Sequence, residues 1–286
     1  MKLMMYVHNR SEAGPAAPFI EVARMMGVEL TVCDRSSFTE RPDPAILPDT
    51  IKQEAPDVVM APFDRHEQVL VADAAYHLGI PVAQMFAGDL AGGAYDDADR
   101  FVISNYATYL FCADYAQYHR TVSSQKWAAE IHWKKRIEIV GATHYDNMDH
   151  EHRGETGHTL VLYNPPSTLS RGEIVNEIYD IKELFEKDER VLWVAPNGDR
   201  NSDIVEEHAK EFEMLPKMSR YEFLGWLKGA KRLVGNSSSA YYEAPYFEVP
   251  IVQVGVRNKY REPISNFMIR SGASRNIIEV LKEELE

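Results

Sequence analysis

Short, mostly apolar runs alternate with stretches of helical period along the chain. Leu3–Val7, Leu30–Cys33, Val58–Ala61, Pro81–Met85, Tyr109–Cys112 and Ile137–Val140 are compact runs of the first kind. Runs of four or five such residues suit strands buried on both faces. Phe19–Met26 and Val69–Leu78 lie between them with helical spacing. This order predicts a parallel sheet flanked by helices. The pattern fails at 143–158, which is polar and rich in His, Asp and Gly, and reads as a linker. It then restarts. Thr159–Tyr163, Arg190–Ala195, Arg232–Gly235 and Pro250–Val254 read as strands. Glu173–Phe185, Tyr221–Ala230, Ala240–Phe247 and Ile277–Leu285 read as helices. The expected architecture is α/β, with Rossmann-like domains at 1–142 and 159–286 facing a central cleft. The last helix is expected to be able to pack back on the first domain. Functional residues should sit at the C-terminal ends of the strands. No internal repeat is visible.

A chain of 286 residues suits two domains. No run reaches the roughly 18–20 apolar residues that span a bilayer, and the N-terminal apolar stretch is too short for a signal peptide. The only cysteines, Cys33 and Cys112, supply no disulfide framework. A cytoplasmic protein is expected. The net charge of −13 opposes whole-surface attraction to nucleic acid or anionic membrane. One local exception is Lys126, Lys134, Lys135 and Arg136, interleaved with Trp127 and Trp133. It reads either as a solvated helix face or as a platform for a base or sugar. His144, His150, His152 and His158 cluster without zinc-ligand spacing, so no metal is expected.

Candidate chemistry centres on Gly235-Asn236-Ser237-Ser238-Ser239. A buried strand ends at Gly235, and a helix is expected to start near Ser238. Free N–H groups there, with Ser237, Ser238 and Ser239, would suit a phosphate. A serine helix cap is the plainer reading, although a cap needs only one such residue. Glu243 would lie one turn on, placed to accept two ribose hydroxyls. Arg10, Arg257 and Arg261 are candidates to offset diphosphate charge without a divalent ion. Asp64 follows a strand, where it reads as a base, a helix cap or a partner of Arg65. Asp96 and Asp97 suit a turn or a helix start, and Asp89 is a third candidate base.

Several of these segments carry a resemblance. Gly235–Ser239 with Glu243-Ala244-Pro245, Met218–Leu224 before Lys228-Gly229-Ala230, and Val256–Pro263 are similar to the nucleotide half of the UDP-N-acetylglucosamine 2-epimerase family. Asn9–Ala13 resembles its first strand-to-helix loop. Phe63–Glu67 and Gly88–Arg100 resemble stretches of its sialic-acid-pathway branch. The resemblance implies a GT-B fold and a UDP-sugar substrate. Met218 would lie on the uracil side, and Arg10 would face the phosphates. It also implies frequent dimers, and elimination of UDP with proton removal at C2, followed by hydration. Asp64 and Asp96 match two family carboxylates. Phe86 and Gln84 stand where the family has glutamate and histidine, and Asn164 where it has a second histidine. Neither phenylalanine nor asparagine can shuttle a proton near neutral pH. From that loss, the sequence leads to an inverting UDP-sugar glycosyltransferase, with Asp64, Asp89 or Asp96 as base. Its acceptor would be a hydroxyl, for instance a hydroxymethylated base in phage DNA. The alternatives are a hydrolysing 2-epimerase with its proton shuttle moved to His8 or His66, and a non-catalytic UDP-sugar binder. UDP-sugar is the donor substrate in the first reading, and no cofactor is expected.

Overall fold

The computed structural model describes residues 1–8, 10–34, 45–130, 134–148, 155–198 and 200–285. The side chains of Arg10, Ser11, Asp34 and Ala129 lie outside that description. The chain divides into two compact units. The first comprises Met1–Asp89, Asp96–Met148 and Ile264–Glu286, and the second Leu90–Tyr95 and Asp149–Pro263.

The N-terminal unit runs β1 (Lys2–Val7), α1 (Arg10–Met25), β2 (Glu29–Asp34), α2 (Leu47–Glu54), β3 (Val58–Ala61), α3 (His66–His77), β4 (Val82–Met85), α4 (Asp96–Tyr106), β5 (Tyr109–Cys112), α5 (Tyr115–Ser124), α6 (Lys126–Glu130) and β6 (Arg136–Ile139). Its six strands are all parallel, in the order β2-β1-β3-β4-β5-β6. β3, β4 and β5 are buried along their whole length, as continuous apolar runs require. α1 starts well before the expected Phe19 and runs through Pro15 and Pro18. Ala16, Phe19 and Ala23 are buried, so tertiary packing overrides the local cost of proline.

The C-terminal unit runs β7 (His158–Leu162), α7 (Arg171–Lys182), β8 (Val191–Val194), α8 (Ser202–His208), β9 (Glu213–Leu215), α9 (Arg220–Gly229), β10 (Ala230–Gly235), α10 (Glu243–Tyr246) and β11 (Ile251–Gln253). Its five parallel strands are ordered β11-β10-β7-β8-β9. Two capping boxes, Ser170 with Glu173 and Ser219 with Glu222, start α7 and α9. Residues 90–95 belong here, with the Tyr260 N–H donating to the Ala91 carbonyl (2.9 Å) and the Thr168 hydroxyl to that of Gly93 (3.0 Å).

The last helix, α11 (Ala273–Leu285), belongs to the N-terminal unit. The Asp146 carboxylate accepts the N–H groups of Gly272 and Ser274, the latter at 2.7 Å. It thereby satisfies donors that a helix start leaves open. Asn276 donates to the Val140 carbonyl (3.1 Å), and Ile277, Ile278 and Leu281 are buried. The expected solvated linker is corrected at both ends. Thr143–Tyr145 is a buried 3-10 turn, and His158 is buried in β7 with its ring 3.0 Å from the Trp226 carbonyl. These residues bury singly and through caps, so they leave no periodic signal. His150 and His152 lie outside the described residues.

The basic cluster is corrected as well. Lys135 Nζ donates to the carbonyls of Ser104 (2.7 Å), Asn105 (2.9 Å) and Ala107 (2.9 Å), closing the C-terminus of α4. It also lies 5.5 Å from the Trp127 ring centre. Lys134 and Arg136 pair with Glu284 at 3.8 and 3.4 Å. Lys135 thus serves the unit itself, and Lys134 and Arg136 each have a carboxylate neighbour within it. Trp133 lies outside the described residues.

Candidate functional site

In an open α/β sheet, ligands meet the C-terminal strand ends where the strand order reverses. In the N-terminal unit that point falls between β1 and β3. The segment after β3 carries Asp64, the segment after β4 carries Asp89, and α4 brings up Arg100. Arg100 is 4% exposed. Its guanidinium pairs with Asp64, lies 3.4 Å from Asp89 and donates to the Phe86 carbonyl at 3.1 Å. Two carboxylates at one edge repel unless a cation lies between them. Arg100 supplies it, with several donors in one plane. Asp96 is half-buried in the first turn of α4 and four residues before Arg100, where a negative charge suits the helix dipole. Asp97 follows it.

Phe86 has a left-handed backbone (φ 54°) and a buried ring, stacked 6.2 Å from Phe63 and edge-on 5.0 Å from His144. Its carbonyl, rather than its side chain, serves the site by orienting Arg100. Of the histidines considered as replacement shuttles, His8 is buried with Nε2 3.4 Å from Glu67, and His66 is 4.0 Å from Asp99. Beside His8 lies Glu12, whose carboxylate accepts the His8 N–H (2.7 Å) and a Gln68 amide N–H (3.3 Å). Burial pushes the Glu12 carboxyl up to about 7. Arg10 opens α1, but its side chain lies outside the described residues.

In the C-terminal unit the reversal falls between β7 and β10. Gly235 pairs in register with Leu162, and a Cβ on it would lie 2.2 Å from the Leu162 carbonyl oxygen, at φ +137°. Only glycine lets β10 end this close to β7. Just beyond, Asn236 and Asn164 exchange two hydrogen bonds. The Asn164 N–H donates to Asn236 Oδ1, and Asn236 Nδ2 to the Asn164 carbonyl, both at 2.8 Å. The Asn197 N–H donates to Asn164 Oδ1 (3.2 Å), and Asn258 Nδ2 to the Asn236 carbonyl (2.6 Å). Three asparagines thus lock the segments after β7, β10 and β11 together. Asn164 Nδ2 takes no hydrogen-bond acceptor among the described residues, and so remains a donor for a ligand.

The serine turn departs from expectation. The continuous helix expected over Ala240–Phe247 is a 3-10 turn, Ser238–Ala240, followed by the four-residue α10. The Ser237 hydroxyl accepts the Ser239 N–H (3.2 Å) and tightens the turn. Pro245 cannot donate to the Tyr241 carbonyl, so the two pieces do not join. A helix dipole therefore adds little here, and the polar groups this turn offers are mainly the serine hydroxyls. Glu243 is buried and ion-paired with Arg220 at 2.9 Å, both side chains about 5% exposed. Met218 packs in the core of this unit. Arg257 donates to the Pro165 carbonyl at 3.5 Å, and Arg261 lies 5.8 Å from the Tyr242 ring centre. Sequence reasoning gave no individual role to Arg100, Arg220 or Asn258, and took Asn236 only as part of the turn. Arg220 had a local signal, the helix start marked by Ser219 and Glu222, whereas the asparagine lattice had none. No group of histidine, cysteine, aspartate and glutamate suited to a metal ion occurs among the described residues. No helix there is long and apolar enough to cross a membrane.

Two parallel α/β units, each with polar groups gathered at a reversal of strand order, define a GT-B-like fold. The family model for UDP-N-acetylglucosamine 2-epimerase matches residues 46–286, and the chain belongs to that family. It is 26% identical to the UDP-N,N'-diacetylbacillosamine 2-epimerase (hydrolyzing) of Legionella pneumophila, over 76% of this chain and 61% of that protein. It is 24% identical to the Campylobacter jejuni GDP/UDP-N,N'-diacetylbacillosamine 2-epimerase (hydrolyzing), over 77% of this chain and 62% of that protein. The chain thus spans less than two thirds of the length of these relatives. The crystal structure of the Neisseria meningitidis UDP-GlcNAc 2-epimerase bound to UDP-GlcNAc shares the fold, with a TM-score of 0.75 at 14% identity, over 99% of this chain and 100% of that one. The Methanocaldococcus jannaschii enzyme in complex with UDP-GlcNAc and UDP gives 0.73 at 16% identity, over 99% and 100%.

These matches overturn the glycosyltransferase expectation, because the family and the relatives are 2-epimerases. That expectation rested on the missing ionisable groups at Phe86 and Asn164. At the N-terminal edge, Asp64 and Asp89 are both ion-paired with Arg100.

Proposed function

We propose that the chain is a hydrolysing 2-epimerase acting on a UDP-linked 2-acetamido sugar. The observation that carries this reading is the Asp64–Arg100–Asp89 arrangement at the strand edge of a chain in this family. Asp89, the carboxylate less committed to the guanidinium, takes the proton from sugar C2. The C1–O bond to UDP then breaks, its electron pair leaves with the β-phosphate, and a C1=C2 double bond forms. Water adds back, hydroxyl to C1 and proton to C2 on the opposite face. This releases UDP and the free 2-epimer. Asp64 and Arg100 hold Asp89 in place, and Asp96 is a further group at the same helix. On the nucleotide side, Ser237, Ser238 and Ser239 donate to the diphosphate, and Glu243 accepts from the ribose. Arg10, Arg257 and Arg261 offset its charge, Met218 lines the uracil, and Asn164 Nδ2 donates to an oxygen of the ligand.

The test is incubation in D2O with UDP-N-acetylglucosamine and, separately, a UDP-2,4-diacetamido sugar, with no acceptor added. Equal amounts of UDP and free 2-epimer carrying one deuterium at C2 are expected. UDP release with retained configuration and no deuterium would show simple hydrolysis. No release from either donor would leave a binding protein.

A further inference from the structure

Glu177 is a buried carboxylate of α7 that the reaction does not use. Its Oε2 accepts the Tyr163 hydroxyl at 2.7 Å and its Oε1 accepts the Val256 N–H at 3.1 Å. Tyr163 immediately precedes Asn164, and Val256 immediately precedes Arg257 and Asn258. One side chain therefore spans two of the three segments that meet at the reversal of strand order. The third is tied in by Asn258, whose amide donates to the Asn236 carbonyl at 2.6 Å.

Two further features fit this bridge. Gly255 lies at φ +73°, and a Cβ built on it would stand 2.3 Å from the Glu177 carboxylate. The left-handed turn before Val256 favours glycine, and it brings the backbone up against the Glu177 carboxylate. The carboxylate also stays in place against a burial cost that raises its proton affinity. A buried carboxylate is kept when its hydrogen bonds fix something the fold needs.

We infer that Glu177 is a positioning residue for nucleotide binding, holding the segment that carries Arg257 and Asn258 at the distance from Asn164 that a UDP diphosphate requires. This rests on the nucleotide-sugar reading above. It predicts that side-chain length and acceptor count at position 177 set UDP affinity, although Glu177 itself does not touch the nucleotide.

The experiment measures the Kd for UDP by calorimetry, with circular dichroism and thermal midpoints as controls, on full-length Glu177→Ala, Glu177→Gln and Tyr163→Phe. Glu177→Ala removes both anchors, and loss of two bonds to a buried charge should weaken UDP by about tenfold or more. Glu177→Gln keeps length and one acceptor, and should return to within about threefold of wild type. Tyr163→Phe removes one anchor and should cost about threefold to tenfold, which keeps the test open if the alanine variant fails to fold. Rescue by glutamine is the result a merely volume-filling role would not single out from rescue by leucine, so Glu177→Leu is the matched control and should bind as weakly as alanine. Equal Kd for all variants, or rescue by leucine as good as by glutamine, overturns the inference alone. Wild-type protein that does not bind UDP overturns the nucleotide reading and this inference with it.

Discussion

The strand edge of the N-terminal unit gathers charge, whereas that of the C-terminal unit gathers amides. Around β1, β3 and β4 the polar groups are Arg100, Asp64, Asp89, Glu12, Glu67 and His8, most of them buried. Around β7, β10 and β11 they are Asn164, Asn236 and Asn258, joined backbone to side chain. Buried charge is costly unless paired, and sites that move protons are where that cost is repaid. Amides fix distances at lower cost and move no proton. In the proposed reaction, the contrast would give proton transfer to the first edge and recognition of a fixed shape to the second. Substitutions at the two edges should then separate turnover from binding.

Arg100→Met is expected to have the largest effect. It leaves Asp64 and Asp89 facing one another at a buried edge. Breaking a buried pair by removing one partner costs about 3–5 kcal/mol of stability, and the displaced Asp89 should slow UDP release by roughly 100-fold. The Kd for UDP, measured by calorimetry, should change by less than about threefold, since the nucleotide groups assigned above are mostly in the other unit. A loss of UDP affinity as large as the loss of turnover would break the division between the two edges.

Glu12→Gln sharpens the same division through pH. Burial raises the Glu12 carboxyl from 4.5 to about 7 in the fold. A folded-state value above the unfolded one means that the protonated form stabilises the fold. That contribution is fully present below pH 4.5 and is lost as pH rises through 7. Glutamine mimics the protonated form at every pH. Relative to wild type, Glu12→Gln should therefore gain stability between pH 4.5 and 7.5, on the order of 3 kcal/mol at the upper end. Denaturant unfolding across that range checks the sign. A difference that does not vary with pH would remove Glu12 from the charged edge's account.

The two edges also differed in how far the sequence revealed them. Strand runs such as Val58–Ala61 and Tyr109–Cys112 were legible because both faces are buried, and they are β3 and β5 without shift. Asp64, Asp89 and Asp96 were legible as carboxylates near strand ends and helix starts. That Arg100 joins Asp64 and Asp89 was not, since it depends on which face of α4 is turned in. Of α4 only a possible start at Asp96 and Asp97 was noted, and α5 was missed, because their buried faces are largely polar: Arg100, Ile103 and Ser104 in α4, Gln117 and Thr121 in α5. The serine turn was read as one helix because Pro245 and the Ser237 cap act through backbone bonds that hydropathy does not record. The reaction was misread from Phe86 and Asn164 for a related reason. A substitution removes a group from one position, but only the fold shows what stands beside it.

Asn164→Asp probes the amide edge with the smallest change. Oδ1 of aspartate can still accept the Asn197 N–H, and both backbone bonds to Asn236 remain. Only the open donor changes, from N–H to an oxygen that is negative when ionised. If that donor meets a diphosphate or hydroxyl oxygen, losing it costs about 1–2 kcal/mol, which is roughly tenfold in the Kd for UDP. The thermal midpoint should move by no more than a few degrees, because the lattice keeps its bonds. Asn164→Ala removes both the donor and the Asn197 acceptor, so it should lose stability while binding UDP no worse than the aspartate variant. Aspartate binding UDP as wild type does would show that the open amide faces away from the nucleotide. The C-terminal edge would then recognise UDP through its serine hydroxyls and Glu243, with the asparagines serving only to hold the strand ends together.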